Sequence, residues 1–156
     1  MSVTSAQRFL KERGIRYEAR EYDHKIKGAE FAAEALGWGL DAMIKTLVVA
    51  LSDGSFCLCL MPGHQELSLK ALAREAGAKS ARMAAPEEAE KLTGYRVGGI
   101  SPFGTRRPLP AWMEESLLRC DTVGINGGRR GLIVFLPPGQ VQEVLGARAA
   151  RLATGD

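Results

Sequence analysis

Two features of the sequence carry residue types that could bind or activate a substrate, and the first is a glycine-rich segment. Residues 93–104 read TGYRVGGISPFG. Gly98 and Gly99 permit positive φ and the close approach of a ligand, while Pro102 fixes its own φ and favours an extended Ser101. The segment predicts a rigid surface loop. Its backbone amides could bind a carbonyl or phosphate oxygen without a charged side chain nearby.

The second feature is Lys45, a single charge inside an apolar run. Met43 and Ile44 precede it, and Thr46, then Leu-Val-Val, follows it. One interpretation is a strand-end lysine whose ammonium reaches water along its aliphatic stem. The other is a lysine that projects into a pocket beside the glycine loop. Composition does not choose between these two interpretations.

Two arginine pairs lie close to glycines, Arg106-Arg107 and Arg129-Arg130. The chain has 21 Lys and Arg against 18 Asp and Glu, a net charge of +3. The whole excess falls in residues 93–156, where 8 arginines stand against 5 acids. The pairs are either a solvated surface or clamps for phosphates, for which the planar guanidinium is suited. The charge alone favours nucleic acid only weakly.

Other catalytic patterns are not matched. His24 and His64 lie in no metal-ligand spacing with each other or with a cysteine, so no metal site is expected; a zinc site remains possible on paper. Cys57 and Cys59 share one face of a predicted strand, which favours core packing, and with Cys120 they make an odd count that is typical of reduced thiols. The glycines fit neither the Walker nor the dinucleotide pattern, and no cofactor is expected.

The bulk properties predict one domain, residues 1–156. A chain of 156 residues with 46% hydrophobic composition can bury roughly two thirds of its unfolded surface. No apolar run approaches the ~18 residues that a membrane span needs, and no secretory leader is visible, so we expect a cytoplasmic protein without a membrane partner.

Hydrophobic patterns and turn residues predict an α+β fold: a mixed, largely antiparallel sheet or barrel with surrounding helices. Thr4 and Gln7 form a capping box for the first helix, and Asp53-Gly54 is a hairpin turn. Helices are predicted at 4–14, 29–36, 68–76, 86–92 and from 140, and strands at 15–22, 46–51, 56–61, 80–83, 122–125 and 132–136.

Four segments taken together resemble a known family. They read KTLVV from Lys45, MPG through LSLKALA over 61–73, the loop 93–104, and GGRRGL over 127–132. In this order they are similar to the YbaK family of aminoacyl-tRNA deacylases, which is related to the editing domain of bacterial prolyl-tRNA synthetases. The family's marks are one lysine and a GxxxP loop, here Lys45 and residues 98–102. The free-standing Cys-tRNA(Pro) deacylases share motifs similar to GGISP and GGRRGL.

The resemblance implies trans-editing deacylation of mischarged aminoacyl-tRNA, most of all Cys-tRNA(Pro) or a similar small amino acid ester. It implies a catalytic Lys45, with attack by water in a hydrolase or by the substrate thiol in a lyase-type reaction. Aminoacyl-tRNA is the implied partner, and prolyl-tRNA synthetase is an open second one. The implied substrate-binding residues are Tyr22, Gly98, Gly99, Ile100, Ser101 and Pro102.

Two rival functions stay open at this point. The first is a non-catalytic module that binds tRNA or a synthetase, and the second is a regulatory protein that binds an amino-acid-like ligand. Ile133 stands where the Cys-tRNA(Pro) deacylases carry an acid, and the segment 22–45 is shorter than theirs. We therefore expect amino-acid selectivity to depend on these two places.

Overall fold

The computed structural model describes residues 3–23, 33 and 36–155. Four helices and eight strands are assigned in these residues, with 3-10 turns at Leu40–Ala42 and Glu115–Arg119. The helices are α1 (Ser5–Glu12), α2 (Leu69–Ala76), α3 (Pro86–Thr93) and α4 (Pro138–Leu145). The strands are β1 (Glu18–Glu21), β2 (Ile44–Leu51), β3 (Phe56–Pro62), β4 (Ala81–Met83), β5 (Ala111–Glu114), β6 (Val123–Asn126), β7 (Leu132–Leu136) and β8 (Arg148–Ala150).

The strands form two sheets that meet at the start of β2. The larger sheet has the order β4-β2-β3-β5-β8, with parallel pairing of β5 to β3 and of β8 to β5 and antiparallel pairing elsewhere. The smaller sheet, β1-β7-β6, is antiparallel throughout. A parallel bridge between Met43 and Gly124 joins the two. The predicted mixed, largely antiparallel α+β fold is confirmed.

Local sequence signals account for most element boundaries. The Thr4 hydroxyl accepts a hydrogen bond from the Gln7 amide at 3.1 Å, and the Gln7 side chain accepts one from the Thr4 amide at 3.0 Å. In the β2–β3 hairpin Asp53 Oδ1 accepts from the Ser55 amide at 2.9 Å, which fixes the turn. The resulting antiparallel register places Lys45 opposite Met61.

Four elements were not predicted: β5, β8 and the 3-10 turns Leu40–Ala42 and Glu115–Arg119. β5, β8 and the turn Glu115–Arg119 meet near Glu114, a carboxylate only 4% exposed that accepts hydrogen bonds from the amides of Leu152 (2.8 Å), Ala153 (3.1 Å) and Ser116 (3.0 Å). Such long-range pairing leaves no local pattern. The last helix begins at Pro138 rather than at residue 140. Most of the predicted helix 29–36 lies outside the described residues, as does His24.

The core lies on both faces of the larger sheet. One cluster fills the space between the two sheets and includes Leu58, Phe103 and Val134. A second lies beneath α2 and includes Cys57 and Cys59, so the interpretation of these thiols as core residues is confirmed. A third includes Met43, Ile133 and Phe135. A hydrogen bond with Cys57 and burial both raise the pKa of the Cys59 thiol. Within the described ranges, no helix has the length and apolarity needed to span a bilayer.

Candidate active site

A pocket of about 230 Å³ lies where the two sheets meet. Its polar lining comes from Tyr22, Lys45, Thr46 and Asn126. Its other lining residues are Met43, Ile44, Val97, Gly98, Ile100 and Ile133. The fold thus brings together four distant parts of the sequence that were singled out from it: Tyr22, Lys45, the loop residues Gly98 and Ile100, and Ile133.

Lys45 reaches this pocket because the chain passes from the smaller sheet to the larger one just as β2 begins. Met43 bridges to Gly124 of the smaller sheet, while Lys45 already pairs with Met61 of β3. The Lys45 side chain is 26% exposed, and Nζ lies 3.8 Å from Oε1 of Glu66, whose side chain is 83% exposed. An exposed ion pair at this distance contributes little stability. The ammonium can therefore exchange Glu66 for a substrate oxygen at small cost.

Thr46, the next residue, has an unusual hydroxyl. Its Oγ1 is buried and has no hydrogen-bond partner among the described residues, yet the residue lines the pocket. A buried polar group without a partner costs about 1–3 kcal/mol. A ligand in the pocket could supply the missing partner. Sequence reasoning missed Thr46, because a threonine in a strand is an ordinary β-former.

The two central glycines of the loop serve different sides of it. Gly98 has φ of +95° and lines the pocket, a conformation that favours glycine. Gly99 is buried on the opposite side, where an added Cβ would lie 2.8 Å from Cα of Arg129 and 2.9 Å from the amide nitrogen of Arg130. The loop can therefore pack against the 127–131 turn only if residue 99 has no side chain.

The expectation of a surface loop with unpaired amides is only partly met. The Gly99 amide donates to the Arg96 carbonyl at 2.8 Å, whereas those of Gly98, Ile100 and Ser101 donate to no residue in the described part of the chain. The first half of the loop is mostly exposed, as predicted, although Tyr95 is buried.

The second half of the loop is core rather than surface, which corrects that expectation. Ser101, Pro102 and Phe103 are buried, and Phe103 stacks on Phe9 with 6.1 Å between ring centroids. Ser101 Oγ accepts from the Phe103 amide at 3.2 Å, and the Tyr95 hydroxyl donates to the Phe103 carbonyl. The packing of the aromatic side chains therefore determines the position of this half of the loop, although its glycines favoured a surface location. Neither Ser101 nor Pro102 is among the lining residues of the pocket.

Asn126, at the end of β6, holds the glycine loop from the side. Its Nδ2 donates to the Gly98 carbonyl at 3.3 Å, and its Oδ1 accepts from the Gly128 amide at 2.7 Å. One side chain thereby links the glycine loop to the 127–131 turn. Sequence reasoning missed Asn126, although its position between the predicted strand 122–125 and two glycines was a signal that could have marked it.

Tyr22 continues the edge of β1, where its amide donates to the Gly131 carbonyl at 2.9 Å. Its ring packs with the apolar cluster of Met43, Ile133 and Phe135. Burial raises the pKa of the Tyr22 hydroxyl, and a hydrogen bond from the Gly131 backbone partly offsets this. The hydroxyl is therefore a neutral donor or acceptor near pH 7.

The four arginines predicted to contact phosphates lie outside the pocket. Arg129 Nη2 is 3.3 Å from Glu21 Oε2, and Arg130 Nη2 is 3.5 Å from the Val97 carbonyl. The Arg106 and Arg107 side chains are exposed, and their amides bond to the carbonyls of residues 93 and 92. Arg129 and Arg130 line a second cleft on the far side of the glycine loop.

Comparison with known proteins identifies the kind of domain that carries this pocket. The family described as "Aminoacyl-tRNA editing domain" matches residues 23–144. The chain belongs to this family. The resemblance to YbaK-type deacylases that the sequence suggested is confirmed, and Lys45, Gly98 and Ile133 all lie inside the matched range of the editing domain.

Three similar proteins show how widely the likeness extends. EbsC of Enterococcus faecalis, provisionally named a Cys-tRNA(Pro)/Cys-tRNA(Cys) deacylase, is 30% identical over 155 residues, which are 97% of this chain and 93% of EbsC. The proline–tRNA ligase of Shouchella clausii is 31% identical over 121 residues, 77% of this chain and 21% of the ligase. A crystal structure provisionally assigned as a trans-editing enzyme for prolyl-tRNA synthetase matches at 32% identity with a TM-score of 0.90, covering 99% of this chain and 100% of the other.

The pocket of this editing domain offers donors rather than bases. Lys45 and the amides of Gly98 and Ile100 can donate hydrogen bonds, and no carboxylate or imidazole belongs to the lining formed by described residues. No group of three or more His, Cys, Asp or Glu that could hold a metal ion occurs in those residues either. Such a set can orient an ester and stabilise negative charge on its carbonyl oxygen.

Proposed function

We propose that this protein removes the amino acid from mischarged aminoacyl-tRNA by breaking the ester bond to the terminal adenosine. Its substrate is Cys-tRNA(Pro) or a tRNA that carries a similar small amino acid. The observation that supports this most is that Lys45, Gly98 and Ile100 line one pocket in a member of the editing family, and that the amides of Gly98 and Ile100 donate to no residue in the described part of the chain. The 156 residues act as one editing domain, and prolyl-tRNA synthetase is a candidate partner.

In this proposal Lys45 and the loop amides together hold the ester carbonyl and so steady the substrate in the pocket. The ester is already activated, so positioning and charge stabilisation suffice without a strong protein nucleophile. A pocket of about 230 Å³ is smaller than the ~300–1,000 Å³ typical of sites for drug-sized ligands. This size supports a small aminoacyl group as the ligand.

Two attacking groups fit the pocket. Water would add to the carbonyl carbon, the ester C–O bond would break, and the free amino acid and the tRNA hydroxyl would result. With a cysteinyl ester, the substrate sulfur could attack the same carbon; its proton would pass to the leaving ribose oxygen, and the products would be a cyclic thiolactone and tRNA. Neither route needs a base from the protein, which accords with the donor-rich lining.

The side walls support a weakly polar side chain in the substrate. Met43, Ile100 and Ile133 line the pocket, and Met43 and Ile133 are at most 4% exposed. A charged side chain placed against them would lose its hydration without compensation. A thiol or methyl group would not, so we place the selectivity for cysteine or alanine at this wall.

A deacylation panel tests the proposal. Purified protein is mixed with tRNAs charged with Cys, Ala, Ser or Pro, and the loss of ester is followed beside a search for the thiolactone. We expect rapid deacylation of Cys-tRNA(Pro) or Ala-tRNA(Pro), and little with Pro-tRNA(Pro). No deacylation of any substrate, with tRNA binding retained, would contradict the proposal and favour a non-catalytic binding module. Stabilisation by a free amino acid without tRNA binding would instead favour a regulatory role.

A further inference from the structure

A second concave surface lies on the far side of the glycine loop from the pocket. This arginine cleft has a volume of about 520 Å³ and is lined by Arg96, Arg129 and Arg130 together with backbone of the 94–99 and 127–131 segments. Gly99 forms part of its floor, whereas Gly98 lines the pocket. The two sites therefore share a wall one loop thick.

The positive charge of the arginine cleft is only partly balanced. Arg129 pairs with Glu21 at 3.3 Å, but Arg96 and Arg130 form no ion pair with any residue in the described ranges. No acidic side chain belongs to the described lining of the cleft. Like charges gathered in a concavity raise the local potential and attract an anion. The arrangement thus has unused capacity for one.

Arg130 connects the arginine cleft to the pocket. A Cβ added to Gly98 would lie 2.7 Å from Arg130 Nε, so this guanidinium lies directly over the residue that lines the pocket. Its Nη2 is 3.5 Å from the Val97 carbonyl, a contact too long and weak to fix it. An anion held by Arg130 would consequently lie beside whatever occupies the pocket.

We propose that the arginine cleft binds the phosphodiester that immediately precedes the esterified nucleoside of the substrate. Arg96 and Arg130 contact its oxygens through their planar forks, and Arg129, held by Glu21, shapes the cleft. This inference rests on the proposed function, which identifies the bound nucleic acid as the 3′ end of a tRNA. It adds Arg96 to the residues that bind the substrate. It also predicts that the RNA crosses the glycine loop, with its last phosphodiester on one side and the ester on the other.

A binding cycle tests the proposal without using the deacylation reaction. Two short single-stranded RNAs with the sequence of a tRNA 3′ end are compared, one natural and one with a neutral methylphosphonate at the last linkage. For the wild-type protein we expect the neutral linkage to weaken binding about tenfold, the value of one charge-assisted contact. For the Arg96→Ala/Arg130→Ala variant we expect less than a twofold difference between the RNAs, because the partners of that phosphate are gone.

Arg74→Ala is the matched control, since it removes an exposed arginine of α2 that has no described ion pair. It should keep the full tenfold difference. Arg130→Lys keeps the positive charge but not the planar guanidinium, so it should keep part of the difference between the two RNAs. Thermal melting should show that every variant is folded. A tenfold difference that persists in the double variant, or no difference in the wild type, would overturn the inference. If the double variant loses the tenfold difference but the wild-type protein deacylates no charged tRNA, only the proposed function would be overturned. If the protein deacylates charged tRNA but the difference between the two RNAs does not depend on Arg96 and Arg130, only this inference would be overturned.

Discussion

The two sides of the glycine loop differ in how the chain builds them. The pocket side depends on the β2–β3 register and on the bridge at Met43, so a hydrogen-bonded ladder fixes Lys45 and Thr46. The arginine cleft is formed by two irregular segments, 94–99 and 127–131, that pack backbone to backbone at Gly99. Rigid strands suit groups that must meet a reacting atom, whereas loop arginines suit a mobile, charged strand. Changes on the pocket side should alter the rate of the reaction, and changes in the cleft should alter RNA binding.

Lys45→Ala should have the largest effect on the pocket side. Loss of one charge-assisted contact to the transition state costs about 3 kcal/mol, so the single-turnover deacylation rate should fall roughly a hundredfold. RNA binding should change much less than the rate. Lys70→Ala, which removes an exposed lysine of α2, is the matched control and should retain the wild-type rate. A rate within twofold of wild type for Lys45→Ala would remove Lys45 from the mechanism.

Glu114→Gln tests a region away from both sides of the loop. The Glu114 carboxylate is desolvated, but hydrogen bonds from Leu152, Ser116 and Ala153 lower its pKa overall. It therefore stabilises the fold above the unfolded-state pKa of ~4.3, and this contribution is lost as the pH falls through its lower folded-state pKa. The variant should lose about 2 kcal/mol of unfolding free energy at pH 7, with a smaller difference near pH 3.

Urea denaturation at several pH values measures this loss. The deacylation rate of the folded variant should stay near that of the wild type, which would separate the β5–β8 scaffold from the site. An equal stability loss at pH 3 and pH 7 would show that the ionised carboxylate is not what holds this edge of the sheet.

Gly99→Ala should affect both sides of the loop at once, because residue 99 is where they join. Its Cβ would meet the Arg129 backbone at 2.8 Å, and overpacking of this kind costs about 1–3 kcal/mol. We expect lower thermal stability, a slower reaction and weaker RNA binding together. Gly139→Ala is the control, since nothing lies within 4 Å of its added Cβ and its φ is not positive. If Gly99→Ala changed only the reaction rate or only RNA binding, the two sides of the loop would be structurally independent of each other.

Sequence reasoning found the residues of this site better than it found their orientation. Caps and turns such as Thr4 and Asp53-Gly54 act locally, so the elements they bound were predictable. The strand β5 was not, because it pairs with the distant strands β3 and β8, and Glu114 at its end accepts bonds from residues nearly 40 positions away. Tertiary packing also limited the prediction inside the loop. Gly98 was predicted to face a ligand and does line the pocket, but the local sequence did not indicate that Phe103 and Ser101 are buried in the core.

Asn126 variants can divide the support of the loop into its two hydrogen bonds. Asn126→Asp keeps an acceptor for the Gly128 amide but loses the donor to the Gly98 carbonyl, while Asn126→Ala loses both. A neutral hydrogen bond contributes about 1 kcal/mol, so the alanine variant should slow deacylation by roughly fivefold or more. The aspartate variant should slow it at least as much, because its carboxylate would lie against the Gly98 carbonyl and add negative charge to the pocket. Equal rates for wild type and both variants would mean that the loop holds its position without this side chain.

Thr46→Val should have the smallest effect, and the informative result is whether the free energy of unfolding and the deacylation rate change in opposite directions. The Thr46 hydroxyl is buried without a described partner, so an apolar side chain of the same shape should leave the free energy of unfolding unchanged or raise it by up to about 1 kcal/mol. If the hydroxyl bonds to the aminoacyl group, the same change should slow deacylation several-fold, while Thr46→Ser keeps the rate. Stability and activity would then move in opposite directions at one atom, as expected where a fold keeps an unsatisfied group for its ligand. A Thr46→Val protein that is more stable and equally fast would show that the hydroxyl does not bind the substrate, leaving Lys45 and the loop amides as the groups that hold the ester.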